Sequence, residues 1–209
     1  LEHKRTSVLH RAMKGLCWFF WLSTHHLEGE RAFRHAVEAL RDDPASEEQR
    51  IALANALAWH GSTNIWFGHH QESDRLLRES VAILRELPGA RRELGVALGY
   101  LGWSTSHSSE IAETVALFRE AAQLFEETEQ LVLLAWIYCM LGASARRQSA
   151  FQEQEQWYLQ ALQLGREIGD QRAIANSYCA LGGLATYRGE YAKARRYLDE
   201  SLSVARSHE

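Results

Sequence analysis

The sequence has few residues that interrupt helices and few that could build a covalent framework. Only 2 of the 209 residues are proline and only 3 are cysteine. So little proline, together with many residues of high helix propensity, predicts an almost entirely helical chain. An odd and sparse set of cysteines argues against a disulfide framework, so we expect a reducing, cytoplasmic environment.

Long apolar runs and an excess of positive charge are also missing. The most intense apolar run covers residues 16–22, whereas a transmembrane helix needs about 20 residues. Lysine and arginine number 23 against 27 acidic residues, which gives a net charge of −4. Non-specific binding to nucleic acids depends on neutralising phosphates. We therefore expect neither membrane insertion nor direct nucleic-acid binding.

Signatures of catalysis and of cofactor binding are absent from the sequence. It contains no Gly-x-x-x-x-Gly-Lys-(Ser/Thr) phosphate loop, no His-Glu-x-x-His, no Cys-x-x-Cys and no Gly-x-Ser-x-Gly. Acidic pairs such as Glu126-Glu127 lie in charged helical stretches, where carboxylates are usually solvated. The sequence thus predicts a chain without enzymatic activity and without a cofactor.

What the sequence does contain is an internal repeat. Residues Tyr138–Ala143 are matched 40 residues later by Tyr178–Gly183, and the Leu-Gly pair recurs at Leu101-Gly102. Helix-stop signals such as Pro44 and Pro88-Gly89 separate the repeats. One helix pair cannot bury its apolar face alone, so the repeats are expected to stack into a single domain, 1–209. The predicted repeats are about 3–41, 47–87, 90–127, 130–169 and 171–209.

Each repeat resembles the tetratricopeptide repeat. The last repeat has Tyr178, Leu181-Gly182, Ala194 and Leu198 at the positions that carry this resemblance. The fourth departs from it, because Gln154 stands where a small residue is usual, and the period is near 40 rather than 34. At the glycine, the first helix is expected to approach its neighbour so closely that a Cβ would separate them. The resemblance implies an all-α, right-handed superhelix of about five helix-turn-helix repeats.

The length and style of the repeats are also similar to helical arrays of large bacterial regulators. A Trp18–Trp21 aromatic run followed by Glu28–Arg31 looks like the entry to the C-terminal arrays of LuxR-type and maltose-regulon activators. This resemblance implies the effector-sensing and protein-interaction arm of a transcriptional regulator, cut from a longer signal-transduction protein. The alternatives are a stand-alone adaptor or scaffold and the repeat domain of a peptide-pheromone receptor.

Six of the seven tryptophans fall at positions that line the concave face in tetratricopeptide arrays; the exception is Trp157. Tryptophan is a preferred anchor in recognition sites, so we expect an aromatic groove that binds a peptide, a protein or a small effector. Alternatively, some rings fill gaps between helices, for which Trp59 and Trp136 are the strongest candidates. The predicted groove residues are Arg11, Lys14, Trp18, Trp21, Asn55, Trp59, Trp66, Tyr100, Trp103, His107, Trp136, Arg146, Arg147, Asn176 and Tyr187.

Two histidine pairs recur with the spacing of the first two repeats. The pair His25 and His26 is followed 44 residues later by His69 and His70. Stacked turns would bring such imidazoles together for zinc or nickel. No cysteine or carboxylate recurs at the same turn, however, so we interpret the pairs as solvated turn residues and predict no metal site.

Two further features concern contacts between helices. Cys139 and Cys179 share one repeat position, which places them on first helices about 8–10 Å apart. Such a separation is generally too large for a disulfide, so both cysteines are predicted to be free. The last helix, 191–207, has an apolar face and no polar capping helix after it. Solenoids need caps, so we expect either further repeats or a homodimer contact there.

Overall fold

The computed structural model describes residues 26–41, 46–107 and 111–207. These residues form α-helices joined by short turns, and there is no β-strand among them, which confirms the all-α prediction. A 3-10 turn, Pro88–Ala90, precedes the helix that begins at Arg91. The helices are α1 His26–Leu40, α2 Glu47–Trp66, α3 His70–Arg85, α4 Arg91–Thr105, α5 Ile111–Glu127, α6 Leu131–Arg147, α7 Phe151–Ile168, α8 Gln171–Tyr187 and α9 Tyr191–Arg206.

The chain divides into two compact bodies, an N-terminal body, Leu1–His107, and a C-terminal body, Ser108–Glu209. In the N-terminal body α2 and α3 form a hairpin, α1 packs on α2, and α4 packs on both α2 and α3. Phe33, Leu57 and Leu76 lie in its buried core. Because neighbours cover α2 on several sides, most of its residues are buried.

The C-terminal body contains two successive hairpins, α6–α7 and α8–α9. Helix α5 packs on α6, and α8 contacts both helices of the preceding hairpin. Tyr158, Leu162, Ile174, Tyr178 and Leu181 form a buried cluster where α7, α8 and α9 meet. The hairpins are therefore joined through shared apolar contacts, as stacked repeats require.

Three hairpins coincide with predicted repeats. The pairs α2–α3, α6–α7 and α8–α9 correspond to 47–87, 130–169 and 171–209. The boundary between the two bodies falls inside the predicted repeat 90–127, with α4 on one side and α5 on the other. Residues 1–25, which include the first helix of the first predicted repeat, lie outside the described residues. The division into five repeats stays a prediction.

The repeat glycines lie at the closest approach of the two helices in each hairpin, as predicted. A Cβ on Gly142 would be 2.4 Å from Tyr158 Cε1, and one on Gly182 would be 2.8 Å from Leu198 Cδ2. In the N-terminal body, a Cβ on Gly61 would be 2.7 Å from the Cγ of Leu77. In every case the contacted residue follows its glycine by 16 positions, so the three hairpins share one packing geometry.

Candidate functional site

Five aromatic side chains form a continuous series in the N-terminal body, which we call the aromatic ladder. It runs from Phe33 on α1 through Trp59 on α2 to Tyr100 on α4, with ring centroids 6.2 and 5.3 Å apart. It continues to Trp103 at 6.4 Å and ends at Trp66, whose ring meets that of Trp103 edge-on at 5.2 Å. These separations suit attractive aromatic pairs, so the ladder ties α2 to α4.

The two ends of the aromatic ladder differ in exposure. Phe33 and Tyr100 are buried, the latter 5% exposed, whereas Trp59 and Trp103 are half-buried. Trp66 is 53% exposed. The ladder therefore begins in the hydrophobic core and ends in an aromatic ring open to solvent.

The remaining groove candidates of the N-terminal body differ in how far they are exposed to solvent. Asn55 and Tyr100 are buried, because neighbouring helices cover α2 and α4 at these positions. Their assignment to a binding groove stays a prediction. His107 is exposed at the end of α4. Trp59 packs against the core, which agrees with the alternative that it fills a gap between helices. The predicted residues Arg11, Lys14, Trp18 and Trp21 lie outside the described residues.

In the C-terminal body, two of the groove candidates meet at one cavity. Arg146, at the end of α6, and Tyr187, at the end of α8, line a space of about 300 Å³. Gln154 and Tyr158 of α7 form its inner wall. Arg147 and Asn176 are exposed, and Trp136 is half-buried, but none of these three lines the cavity. The sequence offered one signal for Gln154, its departure from the usual small residue.

Comparison with known proteins identifies this architecture. Residues 133–207 match the tetratricopeptide repeat family model. No curated protein is detectably similar in sequence. Several solved structures share the fold. The array is a tetratricopeptide-like helical repeat.

Three of these solved structures illustrate the likeness. BtubC (BKLC) from P. vanneervenii is 17% identical at a TM-score of 0.70, over 88% of this chain and 75% of that one. A putative kinesin light chain from Podospora anserina with nearly identical TPR-like repeats is 13% identical at 0.67, over 95% and 96%. Aspartyl phosphate phosphatase F from Bacillus subtilis is 10% identical at 0.64, over 97% and 60%. At these identities the likeness establishes the fold alone.

The histidines of the array do not form a metal centre within the described residues, where no group of three or more potential ligands occurs. His69 and His70 are exposed, and Nδ1 of His69 lies 3.2 Å from Asn64 Oδ1. The ring of His70 lies 4.7 Å from that of His107. His25 is outside the described residues, as is the side chain of His26.

One histidine that sequence reasoning missed is buried in the N-terminal body. His60 Nε2 lies 3.3 Å from Glu30 Oε1, which links α2 to α1. Desolvation by burial lowers the pKa of His60 below its usual value, although the hydrogen bond with Glu30 opposes this change. His60 is therefore neutral at pH 7 and has a structural position.

The two described cysteines are free, as predicted. Cys179 is exposed, whereas the Cys139 thiol is buried with its Sγ 3.8 Å from Ser177 Oγ. Burial raises the pKa of Cys139 to about 11, so it carries almost no thiolate at neutral pH. Cys139 is thus a packing residue between α6 and α8.

None of the described helices of the array is long and apolar enough to cross a membrane.

Ion pairs join neighbouring helices of the C-terminal body. Glu155 of α7 accepts hydrogen bonds from Arg188 and Lys193 of the last hairpin, and these lower the pKa of its carboxyl group. Arg188 also donates a hydrogen bond to the Phe151 carbonyl at 2.8 Å. This cluster fixes the start of α7 against the α8–α9 turn.

Proposed function

We propose that the array is a non-enzymatic interaction module whose aromatic ladder binds a peptide or protein partner. The observation that carries this proposal is the position of Trp66. The Trp66 ring meets the Trp103 ring edge-on, with the ring centroids 5.2 Å apart. About half of the Trp66 side chain is open to solvent. A large ring held in this way buries much apolar area on binding and loses little conformational freedom.

The surroundings of Trp66 favour a partner with apolar or aromatic side chains. Phe67 is also exposed, so two large apolar residues adjoin at the end of α2. The His70 and His107 rings, tilted by 37° with centroids 4.7 Å apart, lie at the neighbouring helix ends and supply polar nitrogen atoms. An extended segment or an amphipathic helix with an apolar anchor suits such a surface.

The biological setting that we propose is the cytoplasmic sensing arm of a larger bacterial regulator, with an effector or partner changing how the array contacts other modules. The resemblance of its repeats to those of LuxR-type and maltose-regulon activators supports this setting. A stand-alone adaptor is the alternative, and a pheromone-receptor domain is a further one. The intact mass of the native gene product distinguishes them: a mass near 23.9 kDa would contradict the multidomain regulator.

The binding surface is tested with a peptide selected on the array from a random peptide library. We expect Trp66→Ala and Trp103→Ala to weaken binding of this peptide at least about tenfold, which corresponds to ~1.4 kcal/mol. The control is Tyr191→Ala, which removes an exposed aromatic ring from α9. Affinity is measured by titration calorimetry, and circular dichroism checks that each variant is folded. Unchanged affinity in both tryptophan variants would reject the aromatic ladder as the binding surface.

A further inference from the structure

One residue that lines the cavity of the C-terminal body, Gln154, has a buried polar atom that lacks a partner. Gln154 is 2% exposed, and its Nε2 lies 3.4 Å from the Tyr158 hydroxyl, to which it donates. Its Oε1 has no hydrogen-bond partner within the part of the chain that the structure describes. Burying an amide oxygen without a hydrogen bond is unfavourable. Gln154 lines the cavity, and a rotation of its amide group about the last side-chain bond would turn this oxygen toward the cavity. A bound molecule with a hydrogen-bond donor would then satisfy it.

Gln154 is not needed for the packing of the hairpin. Forty residues later, in the last hairpin, the same position is occupied by Ala194, and forty residues earlier by Thr114. Both of these small residues are buried as well. Because the fold accepts alanine or threonine here, a glutamine with an unsatisfied oxygen is better explained by binding than by packing.

Arg146 gives the cavity its charge. It is the only charged residue among those lining the cavity, and it makes no ion pair with any other residue that the structure describes. The corresponding position of the last hairpin is Thr186, so the repeat does not require arginine either. A guanidinium group forms paired hydrogen bonds with a carboxylate. The cavity thus combines a site for an anion with an acceptor for a hydrogen-bond donor.

The rest of the cavity wall fixes the size and character of the occupant. Ala143, Ala180 and Leu184 form an apolar part, and the Tyr187 ring lies at its exposed side. A volume of about 300 Å³ is at the lower end of the range for small-molecule sites. It admits a small metabolite.

We propose that this cavity binds a small carboxylate that carries a hydroxyl or amino group. The carboxylate pairs with Arg146, the hydroxyl or amino hydrogen donates to Gln154 Oε1, and the carbon chain lies against the apolar wall. The site is in a different body from the aromatic ladder, so it adds a small-molecule ligand to an interaction module. The carboxylate site and the peptide site can be tested separately, because Trp66→Ala is expected to weaken binding of the peptide and to leave binding of the carboxylate unchanged.

The test uses the whole chain with a panel of probes: glycolate, lactate, malate and the standard amino acids, with acetate and glycerol as matched fragments. Binding is measured by ligand-observed NMR and by titration calorimetry. We expect at least one hydroxy or amino acid to bind at least tenfold more tightly than acetate, and glycerol not to bind. Absence of binding by every hydroxy and amino acid at 10 mM would overturn the proposal, as would equal binding of acetate.

Four variants locate the binding. Arg146→Gln is expected to weaken it at least tenfold, whereas Arg147→Gln, a neighbour outside the cavity lining, leaves it unchanged. Gln154→Ala, which restores the small residue of the equivalent position, is expected to fold and to lose the preference over acetate. A Cβ on Gly183 would meet nothing within 4 Å, so Gly183→Phe is expected to fill the cavity and abolish binding. Wild-type binding by Arg146→Gln or by Gly183→Phe would place the ligand elsewhere.

Discussion

At the scale of single residues, burial decides the chemistry of the titratable groups. His60 and Cys139 both lie between helices, and desolvation is the first cause of the change in each pKa. The shift lowers the pKa of the imidazole and raises that of the thiol, because burial disfavours whichever form is charged. Both groups are consequently neutral at pH 7. Packing between helices accounts for the positions of both side chains.

We predict that His60 makes the stability of the array decrease on acidification. Its folded pKa lies below the unfolded value of 6.5, so the unfolded chain takes up a proton first as the pH falls through about 6.5. Binding of this proton favours the unfolded state. The free energy of unfolding therefore keeps decreasing until the pH reaches the folded pKa of His60. Glu30, Glu72 and Arg34 are the charged groups that act on His60. The free energy of unfolding should therefore fall between pH 7 and pH 5.

Urea unfolding at several pH values measures this effect. His60→Gln is expected to flatten the dependence between pH 7 and pH 5, by about 1.4 kcal/mol for each pKa unit removed. His35→Gln, which changes an exposed histidine of α1, should keep the wild-type dependence. Identical pH profiles for His60→Gln and the wild type would contradict the assignment.

At the scale of the helix pair, the repeat glycines set the distance between helices, but what faces each glycine differs. Gly142 faces the ring of Tyr158, which is buried. Gly182 faces Cγ and Cδ2 of Leu198, a side chain that is 39% exposed. A leucine at the surface can rotate away from a new methyl group, whereas a ring enclosed by three helices cannot. The same sequence motif therefore has different tolerance in the two hairpins.

We predict opposite outcomes for alanine at these two glycines. Alanine favours a helix over glycine by about 1 kcal/mol, whereas overpacking costs ~1–3 kcal/mol. Gly142→Ala should lower the free energy of unfolding by up to about 2 kcal/mol, because its Cβ would lie 2.4 Å from Tyr158 Cε1. Gly182→Ala is the matched control and should be neutral or slightly stabilising. Denaturant unfolding of both variants checks the difference, and equal destabilisation would refute the explanation.

At the scale of the whole molecule, charge restricts the classes of partner. The net charge is −4, and many arginines of the described helices pair with acidic side chains, such as Arg78 with Asp74 and Arg188 with Glu155. A net negative charge with interspersed charges of both signs disfavours non-specific binding to phosphates. Protein and small-molecule partners fit this balance better than nucleic acids.

We therefore predict that the array does not bind DNA at physiological salt. Fluorescence anisotropy of a labelled duplex should show a Kd weaker than about 0.1 mM at 150 mM salt, beyond the range of non-specific DNA-binding proteins. A basic DNA-binding protein serves as the positive control. Binding in the micromolar range that weakens as salt increases would contradict this prediction.

The sequence by itself determined the features that depend on local order along the chain. Apolar periodicity, the scarcity of proline and the recurring Leu-Gly pair predict the helices and three of the hairpins. The glycine positions predict the close contacts, because Gly61, Gly142 and Gly182 each meet a residue 16 positions later. These properties follow from the geometry of one helix pair, which repeats whenever its sequence repeats.

Only the tertiary structure decided which residues of a predicted face remain accessible. Tyr100 and Trp66 were both predicted to line a groove, yet the first is buried and the second exposed. Tyr100 lies within α4, where it packs against Trp59 of α2, whereas Trp66 is the last residue of α2. Similarly, Arg146, Gln154 and Tyr187 meet at one cavity although they belong to three helices. Periodicity assigns a residue to one face of its own helix, whereas burial depends on the neighbouring helices that cover that face.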